Sequence, residues 1–194
     1  YVMQITKRNI PIVFLDGPSD LGNYTSYGDI VICESKESIK RITEDLIDKG
    51  MRKIGFIGDI TYCKTIYDRY QGYLLALQEA GIEPDENIIA TYHANTKFYK
   101  QVEVEEAISK FPYLPEAIVC ANDDIALYSI RYLSSKGLSV PKDLAITGYD
   151  NVEEMSKAAT PLLTTVRVGN QRLGKRLVQQ LMWRLENPNF PKEV

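Results

Sequence analysis

Short apolar runs alternate with amphipathic stretches along nearly the whole chain, and that rhythm restricts it to an α/β fold built on parallel strands. A strand buried on both faces reads as a brief continuous apolar run. The helix that carries the chain back to a parallel neighbour shows apolar residues three and four apart. Apolar runs at 12–15, 30–33, 54–57, 88–90, 117–120, 144–147 and 163–166 predict strands. A helix over 35–49 follows from Ile39, Ile42 and Leu46 on one face, with Ser35 or Ser38 to cap it and Gly50 to stop it. The next helix carries Tyr70, Tyr73, Leu74 and Leu77 and ends at Gly81. Further helices are marked by Val104, Ala107, Ile108 and Phe111, and by Ala126, Ile130 and Leu133 before Gly137. The last spans 171–186, with Leu173, Leu177, Leu181 and Leu185 as its buried face and Pro188 beyond.

With 44% hydrophobic and 25% charged residues among 194, the chain has enough apolar material for one large domain or two lobes. No apolar run approaches the ~18 residues of a membrane span. The net charge of −3 argues against this stretch gripping phosphate backbones by itself. Cys33, Cys63 and Cys120 are odd in number, scattered and without a CxxC pair, which points to a reducing, cytoplasmic setting. A single histidine, His93, argues against histidine catalysis and against a histidine-rich metal site. The chain opens at Tyr1 without a methionine or signal peptide, as expected of a fragment.

In an open parallel sheet, ligands bind in the crevice beyond the carboxyl ends of the strands. Four strand ends here present short carboxylates or amides: Asp16, Asp59, Asn122 with Asp123, and Asp150 with Asn151. Such groups hydrogen-bond hydroxyls, and Arg69, at the start of the helix after strand 54–57, can complete the set with paired donors. A polyhydroxyl ligand suits this collection. Each Asp or Asn also fits a helix cap or a turn, Asn122-Asp123 most plainly, so the constellation says more than its members. Tyr70 and Tyr73 fit a buried helix face, whereas Tyr62 and Tyr67 belong to the preceding loop and stay open as pocket aromatics. No P-loop, GxGxxG, GxSxG or HExxH pattern occurs, and no nucleophile, base and orienting partner assemble, so neither an enzyme nor a cofactor is expected.

Several stretches resemble the effector-binding core of bacterial transcription regulators of the lactose-repressor and galactose-repressor family. They are IPIVFLD at 10–16, LIDKGMRKIGFIG at 46–58, RYQGY at 69–73, PEAIVCAND at 115–123, VPKDLAITGYDN at 140–151 and PLLTTV at 161–166, with Gly174 after them. Their order and spacing over nearly the whole chain carry the resemblance. It implies two Rossmann-like lobes of the periplasmic-binding-protein type, incomplete at both ends, with a small effector between them. Residues 1–33 would belong to the N-terminal lobe, 34–167 to the C-terminal lobe, and 168–194 to the return. Glu34 and residues 168–170 would then lie at the crossovers.

The resemblance further implies that Asp16, Thr65, Arg69, Asn122 and Asp150 contact the effector, with a stacking face near Tyr92 or His93. It implies a homodimer and an N-terminal helix-turn-helix DNA-binding domain absent from this chain. Glu34-Ser35 stands where the family usually has Asp-Asn, Met51 where it has His, and Cys33 replaces a bulkier residue near the pocket. The expected function is a repressor that senses a sugar or sugar phosphate, with a purine or other small metabolite left open. A transport-linked sugar-binding protein of the same fold and an α/β enzyme acting on a sugar or nucleotide are the alternatives.

Overall fold

The computed structural model describes residues 10–18, 27–91, 97–151 and 163–194. A two-stranded parallel sheet pairs β1 (Val13–Leu15) with β2 (Asp29–Val31). Then follow α1 (Lys36–Asp48), β3 (Ile54–Ile57), α2 (Lys64–Glu79), β4 (Ile89–Ala90), α3 (Gln101–Ser109), β5 (Ala117–Cys120), α4 (Asp123–Ser135), β6 (Ala145–Asp150), β7 (Thr164–Arg167) and α5 (Asn170–Glu186). Strands β3 to β7 form a second parallel sheet in the order β4-β3-β5-β6-β7. The fold is α/β, as the alternation predicts.

Strand order explains where a crevice opens. The chain steps outward from β3 to β4, crosses back to β5, and then continues to β6 and β7. Right-handed crossovers put the helices of opposite steps on opposite faces, and α1 packs with α2 while α3 packs with α4. Direction reverses between β3 and β5. Their register pairs Ile57 with Cys120, so the chain leaves both strands side by side at that switch point. Every residue of β3 and β5 is buried, because helices cover both faces and no polar alternation is needed.

The core joins Phe56, Ile57, Tyr73, Leu77, Val104, Ile118 and Leu133 across both helix layers. Each such side chain contributes roughly 1.5–3 kcal/mol when fully buried. A Cβ at Gly72 of α2 would collide with the carbonyl of Lys36 in α1, so glycine permits the close α1–α2 contact. Gly50 ends the α1 segment with a φ of 92°, the left-handed turn expected of that position.

Four local expectations differ from the structure. Neither Ser35 nor Ser38 caps α1 through its hydroxyl. The Glu34 carboxylate does so, accepting from the amides of Glu37 at 2.6 Å and Ser38 at 3.2 Å. Ser35 is buried, and its hydroxyl is turned to Tyr149 and the Cys33 carbonyl. Tyr67 lies inside α2 and not in the loop, because the helix already starts after Cys63. Strand β6 runs past Thr147 to Asp150, since Gly148, Tyr149 and Asp150 continue the ladder onto Thr165, Val166 and Arg167. Leu185 is exposed, and α5 instead buries Gln180 and Arg184, which face Asp29 on β2. The Thr160-Pro161 break lies outside the described residues.

Candidate functional site

The ends of β1 and β6, the entry to α2 and the start of α5 surround a cavity of about 490 Å³. Its polar wall consists chiefly of Asp16, Thr65, Arg69, Tyr149 and Asp150, and Leu15, Val168 and Leu173 add apolar surface. Four residues expected at the site from sequence, Asp16, Thr65, Arg69 and Asp150, therefore meet in one place.

Arg69 is the centre of this wall. It sits one and a half turns into α2, is 7% exposed, and donates from Nη1 to the Ala121 carbonyl at the end of β5 at 2.6 Å. Its Cζ lies 3.7 Å from the centroid of the Tyr149 ring, a cation–π contact. Nη2 is 3.8 Å from Asp150 Oδ1. Among the described residues its buried Nε has no hydrogen-bond partner. A buried donor left unmade is costly.

The two carboxylates have different surroundings. Asp16 accepts from the Thr65 hydroxyl at 2.5 Å and from the amide of Gly17 at 2.7 Å. Asp150 is pushed up to about 6, first by burial and further by Asp123 and Asp124, against the pull of Arg69. Asp16, Asp150 and Asn151 hold φ values of 59°, 113° and 51°, left-handed backbone that non-glycine residues seldom adopt. Strain of this kind concentrates where side chains are aimed for a task. Burial pushes the Cys63 thiol up, so it lines the cavity as a neutral group. Among the described residues no group of three or more His, Cys, Asp or Glu side chains is placed to hold a metal ion. Chemically, the wall offers one buried guanidinium, two carboxylates and a hydroxyl to a small ligand rich in hydroxyls.

Residues 43–194 match the family described as a periplasmic binding protein-like domain. The chain belongs to that family. Among curated relatives, the HTH-type transcriptional repressor PurR of Vibrio atlanticus is 33% identical over 96% of this chain and 54% of its own length. The repressor of the same name from Actinobacillus pleuropneumoniae is 34% identical over 92% of this chain and 51% of its own. The chain thus spans about half the length of the curated relatives it matches. Among solved structures, a LacI-type transcription regulator from Bifidobacterium animalis subsp. lactis superimposes with a TM-score of 0.77 at 28% identity, covering 95% of this chain and 67% of that one. These likenesses establish the resemblance to the effector-binding core of lactose-repressor-type regulators read from the sequence motifs.

Within this periplasmic binding protein-like core the remaining expected residues fall elsewhere. Asn122 does not line the cavity; its side-chain carbonyl accepts the amide of Ile125 at 3.0 Å and caps α4. Asp59, the odd strand end, binds the amide and hydroxyl of Thr61 at 2.9 and 2.6 Å in a local turn. Tyr92 and His93 lie outside the described residues. Sequence reasoning left Tyr62 open, and it lines the cavity, while Tyr73 is buried in the core and Tyr70 packs beside it. Tyr149, Val168, Asn170 and Leu173 also line the cavity, and no strand-end carboxylate or amide signal in the sequence marks them. Strand alternation sends Tyr149 and Asp150 to opposite faces; the φ of 113° at Asp150 departs from that geometry, and both line the cavity.

Proposed function

We propose that this chain is the effector-sensing core of a cytoplasmic transcription repressor, and that a sugar or sugar phosphate bound in the Arg69 cavity sets its activity. The observation that carries the reading is the meeting of the Arg69 guanidinium, Thr65 and the carboxylates of Asp16 and Asp150 around one cavity, with Nη2 of Arg69 3.8 Å from Asp150. Hydroxyls of the ligand would donate to the two carboxylates and to the Thr65 oxygen, whose own proton is held by Asp16, and accept from Arg69, as charge-assisted bonds favour. Residues 1–33 and 168–194 would form one lobe and 34–167 the other. The grouping of β1 and β2 with α5, apart from the five-stranded sheet, supports that division.

Binding between lobes would shift their relative orientation to the extent that the ligand prefers one arrangement. In a homodimer that shift would change the spacing of two helix-turn-helix heads on operator DNA. The HTH-type repressors that match this chain support the reading, and their greater length leaves room for such a head. The proposed chemistry is binding without turnover.

Titration calorimetry against D-ribose, D-galactose, D-glucose 6-phosphate and hypoxanthine tests the proposal. Saturable 1:1 binding is expected without product, weakened at least about fivefold by Arg69→Ala and by Asp150→Ala. Unchanged affinity in both variants would remove the assigned cavity. Product formation would make the chain an enzyme.

A further inference from the structure

We propose that Tyr149 is a positioning residue: its ring sets the plane of the Arg69 guanidinium, and its hydroxyl ties that setting to the crossover at Glu34 and Ser35. The inference rests on the reading of Arg69 as an effector contact, and it adds how occupancy of the cavity would be felt by the strand leading out of the small sheet.

The contacts form an unbroken line. The Arg69 guanidinium lies 3.7 Å from the centroid of the Tyr149 ring. Tyr149 is 1% exposed, so a shift of its ring is passed to the neighbours it packs against. At its far end the phenol donates to the Glu34 carbonyl at 2.6 Å and accepts from the Ser35 hydroxyl at 3.2 Å. The single Ser35 proton is shared with the carbonyl of Cys33, also at 3.2 Å, and Glu34 caps the first turn of α1. Residues 33–35 connect β2 of the small sheet to α1, which packs against α2 and adds Ile39, Leu46 and Ile47 to the core of the large sheet. One tyrosine on β6 therefore touches the cation of the cavity at one end and the link between the sheets at the other, across 115 positions of sequence.

The remaining bonds of Arg69 explain why the ring would register a ligand. Nη1 is anchored on Ala121, whereas Nη2 stands 3.8 Å from Asp150 and Nε is unpartnered among the described residues. An acceptor arriving at Nη2, beside Asp150, would turn the guanidinium about its anchored nitrogen, and the face against which it turns is Tyr149. A contiguous path becomes coupling only when a change at one end biases the other. A second route exists, since Arg69 belongs to α2 and Gly72 of α2 packs against Lys36 of α1. The experiment must separate the two.

Hydrogen–deuterium exchange of the amides of residues 34–39 does so on the full chain with no effector present. Arg69→Met is compared in the wild-type and Tyr149→Phe backgrounds; phenylalanine keeps the ring and loses only the hydroxyl. If Tyr149 carries the coupling, Arg69→Met speeds exchange at 34–39 at least about fivefold in wild type. In the Tyr149→Phe background the same change moves it less than about twofold, within ordinary additivity error. Equal fold-changes in both backgrounds assign the effect to α1–α2 packing and overturn the proposal, as does an unaltered segment in Arg69→Met. Ser35→Ala, which leaves Tyr149 intact, serves in the same cycle if Tyr149→Phe does not fold by circular dichroism. Because no ligand enters, failure here leaves the cavity reading to the calorimetric test, and failure there leaves this coupling measured.

Discussion

The hydroxyl of Thr65, at the first turn of α2, donates to Asp16 Oδ2 at 2.5 Å and so closes a bond between residues 49 positions apart. It joins the end of the small sheet to the entry of the helix that carries Arg69. Thr65 is 6% exposed, so its hydroxyl has little access to water as a substitute partner. Thr65→Val keeps the shape and removes the donor. Urea unfolding is expected to show a loss of about 1.5–3 kcal/mol, the range for a bond to a charged group. Undiminished stability would mean that the amides of Gly17 and Thr65 hold Asp16 without the hydroxyl.

Arg184 and Asp29 form a buried bidentate pair, with Nε and Nη2 at 2.8 and 2.5 Å from the two carboxylate oxygens. The same guanidinium donates to the carbonyls of Asn187, Phe190 and Pro191, which holds the tail beyond α5 against β2. Burial raises the Asp29 carboxyl, but the bonds from Arg184 and Gln180 outweigh it and leave it lowered. A lowered carboxyl contributes stability that is present above its ordinary value of 3.8 and is lost as pH falls through its lower folded value. Arg184→Met leaves the Asp29 charge buried without its counter-ion, and denaturant titration at neutral pH is expected to show a loss of about 3–5 kcal/mol. Asp29→Leu added to Arg184→Met should restore much of it. A double variant as weak as the single one would show that the tail contacts, and not the ion pair, dominate.

Gly72 gives a third test. A Cβ there meets the Lys36 carbonyl of α1, which is backbone and yields only if the helices separate. Gly72→Ala is expected to cost about 1–3 kcal/mol despite alanine's better helix propensity. For a chain of this size that lowers Tm by roughly 2–12 °C, since each kcal/mol shifts it about 2–4 °C. A raised Tm would show that the helix pair accommodates the methyl group.

What the sequence makes legible depends on how local its cause is. Strands β3 and β5 stand out because burial on both faces leaves pure apolar runs at 54–57 and 117–120. Asp16 and Asp150 follow from one topological rule about strand ends, and the structure brings them to the same cavity. Asp59 satisfies that rule equally well and makes only a turn, because nothing in its immediate sequence separates a turn carboxylate from a ligand carboxylate. Burial of Gln180 and Arg184 was out of reach, since it depends on Asp29, 151 and 155 positions away. Tyr149 lies just past the apolar run at 144–147, with nothing local to mark it; its two contacts appear only when Arg69 and Glu34 converge on it from other elements.

Asp150 titrates within an accessible range, and two opposite pH effects follow. Its folded pKa of about 6, against an ordinary 3.8, means that the folded chain holds this proton more tightly than the unfolded one. The stability it contributes is therefore fully present below the ordinary value and is lost as pH rises through about 6. Ligand binding runs the other way. A polyol that donates hydroxyls to Asp150 needs the anion, so affinity should be level above about 6 and fall toward tenfold per unit below it. Burial sets most of the shift; of the facing charges, Arg69 favours the anion, while Asp123 and Asp124 oppose it. Calorimetry between pH 5 and 7.5, with whichever tested sugar binds, reads the slope directly, and proton release should appear as a dependence on buffer ionisation enthalpy. Asp150→Asn should bind more weakly and with a flattened profile. A wild-type profile that is already flat would mean that the ligand leaves Asp150 untouched and that Asp16 and Arg69 hold it alone.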